Sequence, residues 1–184
     1  MANPDYFAKF GQFIHWYANV ERMVHYVFRH FSGLPQEAAR TIDGGMNLSA
    51  LISLIRRIII ARKVADAERN ELEFLFDHLG HITKLRDYLI HRGGDSFGEH
   101  IISTNYHIAR SEVDFEYIEL NLSDIQDAAL DCGQMYMRFD LLMEPDAAWF
   151  KEPGAREWLM RPWRYKPRQP KKPKARGAAQ GREP

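Results

Sequence analysis

Apolar residues recur along the first third of the chain at three- and four-residue spacing. Phe7, Phe10, Ile14, Tyr17, Val20, Val24, Val27 and Phe31 mark one face of a helix from Pro4 to Phe31, closed by Ser32-Gly33. Pro35 to Ile42 reads as a short helix stopped by Gly44-Gly45. Leu48, Leu51, Ile52, Ile55, Ile58 and Ile59 predict a second long helix from Leu48 to Val64. A third is expected from an Asp66 N-cap to Gly93-Gly94, with Leu72, Leu75, Phe76, Leu79, Ile82, Leu85 and Leu89 inward.

The period then falls to two. Ile101, Ser103, Asn105 and His107 alternate with Ile102, Thr104, Tyr106 and Ile108. After a break, Val113, Phe115 and Tyr117 alternate with Asp114, Glu116 and Ile118, which predicts a β-hairpin. Ser123 followed by Gln126 reads as the capping box of a fourth long helix. Ile125, Ala128, Ala129, Cys132, Met135, Phe139 and Leu142 are its expected buried side, and Glu144-Pro145 its end. The fold class expected is all-α: an antiparallel four-helix bundle with a short extra helix and a β-hairpin insertion before the last helix.

Charge divides the chain in a way its net charge of zero conceals. Residues from Lys151 onward hold 11 Lys and Arg against 3 Asp and Glu, and the first 150 residues hold 14 against 22. From Arg161, Pro162, Pro167, Pro170 and Pro173 interleave with basic residues, a composition that buries too little apolar surface to offset its ordering entropy. The chain is therefore read as a helical domain over residues 1–148 and a basic, disordered tail over 149–184. The tail is open to three readings: a nucleic-acid tether, a contact with the acidic body, or a solubilising end.

Several chemistries are set aside. A single cysteine, Cys132, allows no internal disulfide, and with no basic, apolar leader at the N-terminus a cytoplasmic protein is expected. No apolar run approaches a membrane span. His78 and His81 have no second ligand pair, so no metal is expected. The glycine pairs are helix stops rather than phosphate loops, so no cofactor is expected either. Cys132 sits on an apolar side and reads as core.

What remains is the end of the third long helix, His81 to Arg92. Arg86 presents a planar cationic fork suited to phosphate, His91 an imidazole that exchanges protons near neutrality, and Asp87 lies four residues before that imidazole. His81, Lys84, Tyr88 and His91 follow one another at three- and four-residue spacing; Lys84 adds charge and Tyr88 a ring on which a base can stack. Each has a plainer reading: a surface arginine, a histidine facing the helix dipole, a solvated helix face. Asn19 and Glu21 interrupt the apolar stretch of the first helix and read as surface or interface residues.

An Arg followed five residues later by His arises about once by chance in a chain of this composition, so the context carries the weight. In that context, Leu85-Arg86-Asp87-Tyr88-Leu89-Ile90-His91 resembles the signature of the HEPN superfamily: an Arg, a polar residue, three variable residues and a His near the end of the third main helix. The resemblance covers about Tyr6 to Met143. It implies a metal-independent endoribonuclease of toxin–antitoxin or defence systems, acting as a homodimer on RNA and often held by an antitoxin protein. Some members are catalytically silent and only bind, and that reading stays open here, with the basic tail as the nucleic-acid-binding part.

Geometry also favours two copies. Five residues turn a helix by about 500°, which leaves Arg86 and His91 roughly 140° apart and ~7.5 Å apart in rise. A twofold dimer places two of each in one cleft and supplies both an acid and a base. Phe7, Phe10, Phe13, Trp16 and Tyr17 crowd the first helix nearly all round, as expected of a helix covered by core on one side and a partner on the other.

Overall fold

The structure is a computed structural model and describes residues 4–93, 95–106, 109–111 and 114–172. It is mostly helical, with α1 over Pro4–Ser32, α2 over Gln36–Asp43, α3 over Leu48–Ala61, α4 over Asp66–His91, α5 over Leu122–Met143 and a short α6 over Ala155–Met160. No helix among the described residues is long and apolar enough to cross a membrane.

α1 is the central element. Its buried face, including Phe13, Tyr17, Val20, Val24, Val27 and Phe28, packs mainly on α5 and on α3, and α4 packs on α5. The crowding of aromatics round α1 thus has a cause within one chain. Phe13 and Tyr17 are buried in the core, and Trp16 meets Tyr136 of α5 edge-on at 6.3 Å and lies against Gly133. Phe7 stays exposed. Phe13, Trp16 and Tyr17 thus have their packing partners within one chain.

Local rules decide the ends. Asn47 caps α3, its side chain accepting from the Ala50 N–H at 2.9 Å. α4 begins one residue earlier than an Asp66 cap requires: Ala65 is the N-cap, and Asp66, inside the first turn, takes Arg69 at 2.7 Å. α5 is boxed by Asn121 and Asp124 rather than Ser123 and Gln126, with the Asn121 N–H donating to Asp124 Oδ2 at 2.8 Å. The box lies two residues earlier because strand pairing runs directly into the helix. α4 ends at His91, and Gly93 at φ 68° takes the left-handed position that follows a helix C-terminus.

The hairpin is part of a three-stranded antiparallel sheet: β1 (Asp95–Phe97), β2 (His100–Thr104) and β3 (Tyr117–Asn121) in that order. β1 comes from a stretch to which the sequence pattern assigned no element. Gly98, at φ 63°, makes the two-residue turn that pairs Phe97 with His100. β2 and β3 pair Ile101 with Leu120 and Ser103 with Ile118, which puts these four on the buried face. Phe115, expected in the second strand, precedes its start at Tyr117; His107, Ile108 and Val113 lie outside the described residues. Ser103 Oγ donates to the Tyr88 carbonyl at 2.9 Å and ties the sheet to the last turns of α4.

The stretch from Arg161, expected to lack structure, is a strap that runs antiparallel to α5. Arg161 Nε donates to Gln134 Oε1 at 3.0 Å. The N–H groups of Arg164 and Tyr165 reach Asp131 at 3.0 and 2.9 Å, and Arg168 reaches Asp124 at 2.9 Å. Lys171 then exchanges both backbone hydrogen bonds with Tyr117 and pairs with Glu119. Trp163 stacks between Phe74 and His78 of α4, with ring centroids 5.3 and 4.3 Å away, and Tyr165 is buried. Composition misjudged this segment because two aromatics and a row of polar partners on α5, rather than a hydrophobic stripe, hold it down. Residues 173–184 lie outside the described residues.

Candidate functional site

The third long helix carries its polar residues in two directions. Ile82, Leu85 and Leu89 face the core, so Thr83, Arg86 and Asp87 flank it on the side of α1, while His81 and Lys84 flank it on the side of α3. On the α1 side lies an open cleft of about 580 Å³. Tyr17, Glu21 and His25 of α1 form one wall, Thr83, Arg86 and Asp87 of α4 another, and Met46 to Ser49 at the start of α3 close it. A second groove of about 410 Å³, between α3 and α4, shares Leu48, Ser49 and Thr83 with the cleft and is lined further along by Arg56, His81 and Lys84. The two run into one another.

Arg86 is the anchor of the cleft. Its side chain is 28% exposed, its Cζ lies 5.3 Å from the Tyr17 ring centroid, and its Nη1 donates to Asp87 Oδ1 at 2.6 Å. Among the described residues its other donors meet no acceptor. Desolvation pulls the guanidinium down, but the Asp87 hydrogen bond and the neighbouring Tyr17, Asp87 and Glu21 outweigh it, so it stands above its ordinary pKa and stays charged. Tyr17 is held by a 3.1 Å hydrogen bond with Thr83, and burial pushes its phenol up to about 12, so it remains a neutral hydroxyl.

The remaining residues separate. His91 does not line the cleft. It sits at the end of α4 with 65% of its side chain exposed, and its Nε2 is 3.9 Å from Asp87 Oδ1, beyond hydrogen-bond reach but within that of an ion pair. Asp87 therefore stands between Arg86 inside the cleft and His91 at its rim. Tyr88 packs against the core under the Arg92 guanidinium, 4.3 Å from its ring centroid, so one face of the ring is already covered. His78 is buried with Nε2 3.0 Å from Asp131 and under Trp163, while His81 points to the groove. Cys132 is fully buried, and burial pushes its thiol far up, which suits a core residue and not a nucleophile.

Two cleft residues were not expected there. Glu21 lies one turn from Tyr17 and faces Arg86 rather than open solvent. His25 lies one turn further, its Nδ1 3.4 Å from the buried Asp43 at the end of α2. The signal available was spacing: Tyr17, Glu21 and His25 recur every four residues on α1. Comparison with protein-family models, with curated proteins and with solved structures returns no match.

Proposed function

We propose that the chain is a metal-independent endoribonuclease of HEPN type, a toxin or defence effector that works as a homodimer of antiparallel four-helix bundles formed by α1, α3, α4 and α5. The reading rests on the placement of Arg86, Asp87 and His91: a charged fork with unspent donors inside a cleft, and an imidazole at the rim, joined through one carboxylate. Arg86 binds the non-bridging oxygens of a phosphodiester and stabilises the charge that grows on them as the 2′-oxygen attacks. His91 exchanges a proton with the reacting oxygens, and Asp87 holds both residues to one place. Lys84 and Arg56 supply cationic groups to the adjoining groove, which His81 also lines, and a flanking stretch of RNA lies there. Tyr88 contributes through the wall it forms with Arg92 rather than as an open stacking platform. A cytoplasmic antitoxin protein that covers the cleft completes the reading.

One observation favours a catalytically silent binding module instead. Asp87 and Glu21 both bear on Arg86, so a phosphate entering the cleft meets two carboxylates as well as the fork. Expression in a bacterial host separates the two. The nuclease reading expects growth arrest by the wild-type chain and normal growth with His91→Ala at the same protein level. Equal growth in both, or equal arrest, counts against it.

A further inference from the structure

We infer that Glu21 makes the site specific for guanine: its carboxylate pairs with the Watson–Crick edge of a guanine base next to the phosphate that Arg86 holds. The inference rests on the nuclease reading and deepens it by naming the base. An anomaly in the cleft carries it. A phosphate site gains nothing from carboxylates, yet two line this one. Asp87 is spent on Arg86, from which it accepts at 2.6 Å. Glu21 is half-buried and, among the described residues, has no hydrogen-bond partner.

The fold puts Glu21 at the base end of such a site. α3 starts beside Tyr17 and Glu21, and Arg62 at its end reaches the Phe31 carbonyl, so α3 runs with α1. α4 runs back along α3, with Glu73 on Arg56 and Thr83 beside Ser49, and is therefore antiparallel to α1. α1 and α4 meet at the 3.1 Å hydrogen bond between Tyr17 and Thr83. Glu21 lies one turn to one side of that contact and Arg86 nearly one turn to the other, about 10 Å apart in rise. His91 lies further along on the Arg86 side. A nucleotide with its phosphate on Arg86 and its reacting oxygens toward His91 then sends its base over Tyr17 and Thr83 to Glu21. Met46 and Leu48, at the start of α3, offer apolar surface to the face of the base. The cleft, about 580 Å³, is of the size that small-ligand sites have.

The chemistry selects one base. An ionised carboxylate has two oxygens that only accept. Guanine alone presents two adjacent donors on its Watson–Crick edge, N1–H and the N2 amino group. Adenine and cytosine place an acceptor beside their amino group, and uracil places its one N–H between two carbonyls. Asn47 adds to the match: its Oδ1 accepts from the Ala50 N–H at 2.9 Å, which leaves the amide NH2 to donate to guanine O6. An unpaired base in single-stranded RNA leaves this edge open to be read. Glu21 belongs to the same chain as Arg86, so each copy in the homodimer brings its own base site.

The test is single-turnover cleavage in EDTA of end-labelled single-stranded RNAs that carry one guanosine, inosine or adenosine in an otherwise guanosine-free sequence. The full-length wild type, Glu21→Gln and Glu21→Ala are compared, and thermal melts record that the variants are folded. Wild type is expected to cut beside guanosine about 10- to 100-fold faster than beside adenosine, the usual worth of paired hydrogen bonds to a charged group. Inosine, which lacks the N2 amino group, should fall between them. Both variants are expected to cut beside guanosine and adenosine at nearly equal rates. A wild type that cuts all three RNAs alike overturns the inference and leaves the nuclease reading standing. So does a guanosine preference that persists in both variants, even if they are slower at every base, because Glu21 then only shapes the cleft. A folded wild type that cuts none of the RNAs removes the nuclease reading and, with it, this inference.

Discussion

An Arg86→Ala variant is expected to cleave RNA about 10²- to 10³-fold more slowly than wild type, the cost of removing one transition-state donor group from a partly desolvated site. Among the described residues Arg86 is the only arginine lining the cleft between α1 and α4, and two features hold it in place: the Tyr17 ring at 5.3 Å and Asp87 at 2.6 Å. Arg86→Lys should recover only part of the loss, since an ammonium keeps the charge but not the planar fork. Folding should change little in either variant. The pair with Asp87 is partly exposed and joins adjacent residues, so its removal costs at most about 1 kcal/mol. Single-turnover rates beside thermal melts check both halves. A variant that melts like wild type and cleaves like wild type contradicts the assignment.

The largest loss of stability is expected far from the cleft, in Asp131→Ala. Asp131 is fully buried and accepts from His78 Nε2 at 3.0 Å and from the N–H groups of Arg164 and Tyr165 at 3.0 and 2.9 Å. Alanine leaves all three donors without their acceptor in a dry site, at a cost of about 3–5 kcal/mol. In a chain of this size that lowers Tm by about 10 °C. The strap should also loosen from α5, so that limited proteolysis cuts near residues 161–172 before the helices. Asp131→Asn keeps one acceptor oxygen and is expected to lose less. A Tm within 2 °C of wild type in the alanine variant would mean that the strap does not depend on this carboxylate.

The same residue explains where the sequence was legible and where it was not. The long helices are marked by apolar side chains at a fixed period, a local pattern, and α1, α3, α4 and α5 were legible from it to within a few residues. The end of α4, with Arg86, Asp87 and His91, was legible for the same reason. The strap was not. Its partners Asp124, Asp131, Gln134 and Arg138 recur along α5 at helical spacing, so a buried polar stripe looks like a solvated face until the segment that covers it is known. Arg138 illustrates the point, paired with Glu71 at 2.6 Å and lying 5.2 Å from the Trp163 ring centroid. β1 escaped because three residues beside glycines carry too short a pattern to show a period. His25 escaped because its partner Asp43 comes from α2, and only the turn between the helices brings the two together.

The cleft has the same character. Tyr17 and Thr83 are 66 residues apart in sequence, yet their hydrogen bond lies at its floor. The residue spacing on α4 indicated which side chains share a turn, and the packing of α1 against its neighbours decided which of them face a common space. Arg86 and Asp87 face it, whereas His91 stays at the rim and Lys84 and His81 line the groove next door.

The central claim is that this chain cuts RNA without a metal, and incubation of end-labelled RNA with the purified full-length protein in EDTA tests it most directly. The account predicts cleavage that leaves 2′,3′-cyclic phosphate and 5′-hydroxyl ends and that falls at least a hundredfold in Arg86→Ala. Equal cleavage by wild type and Arg86→Ala, or none by a folded wild type, would contradict it.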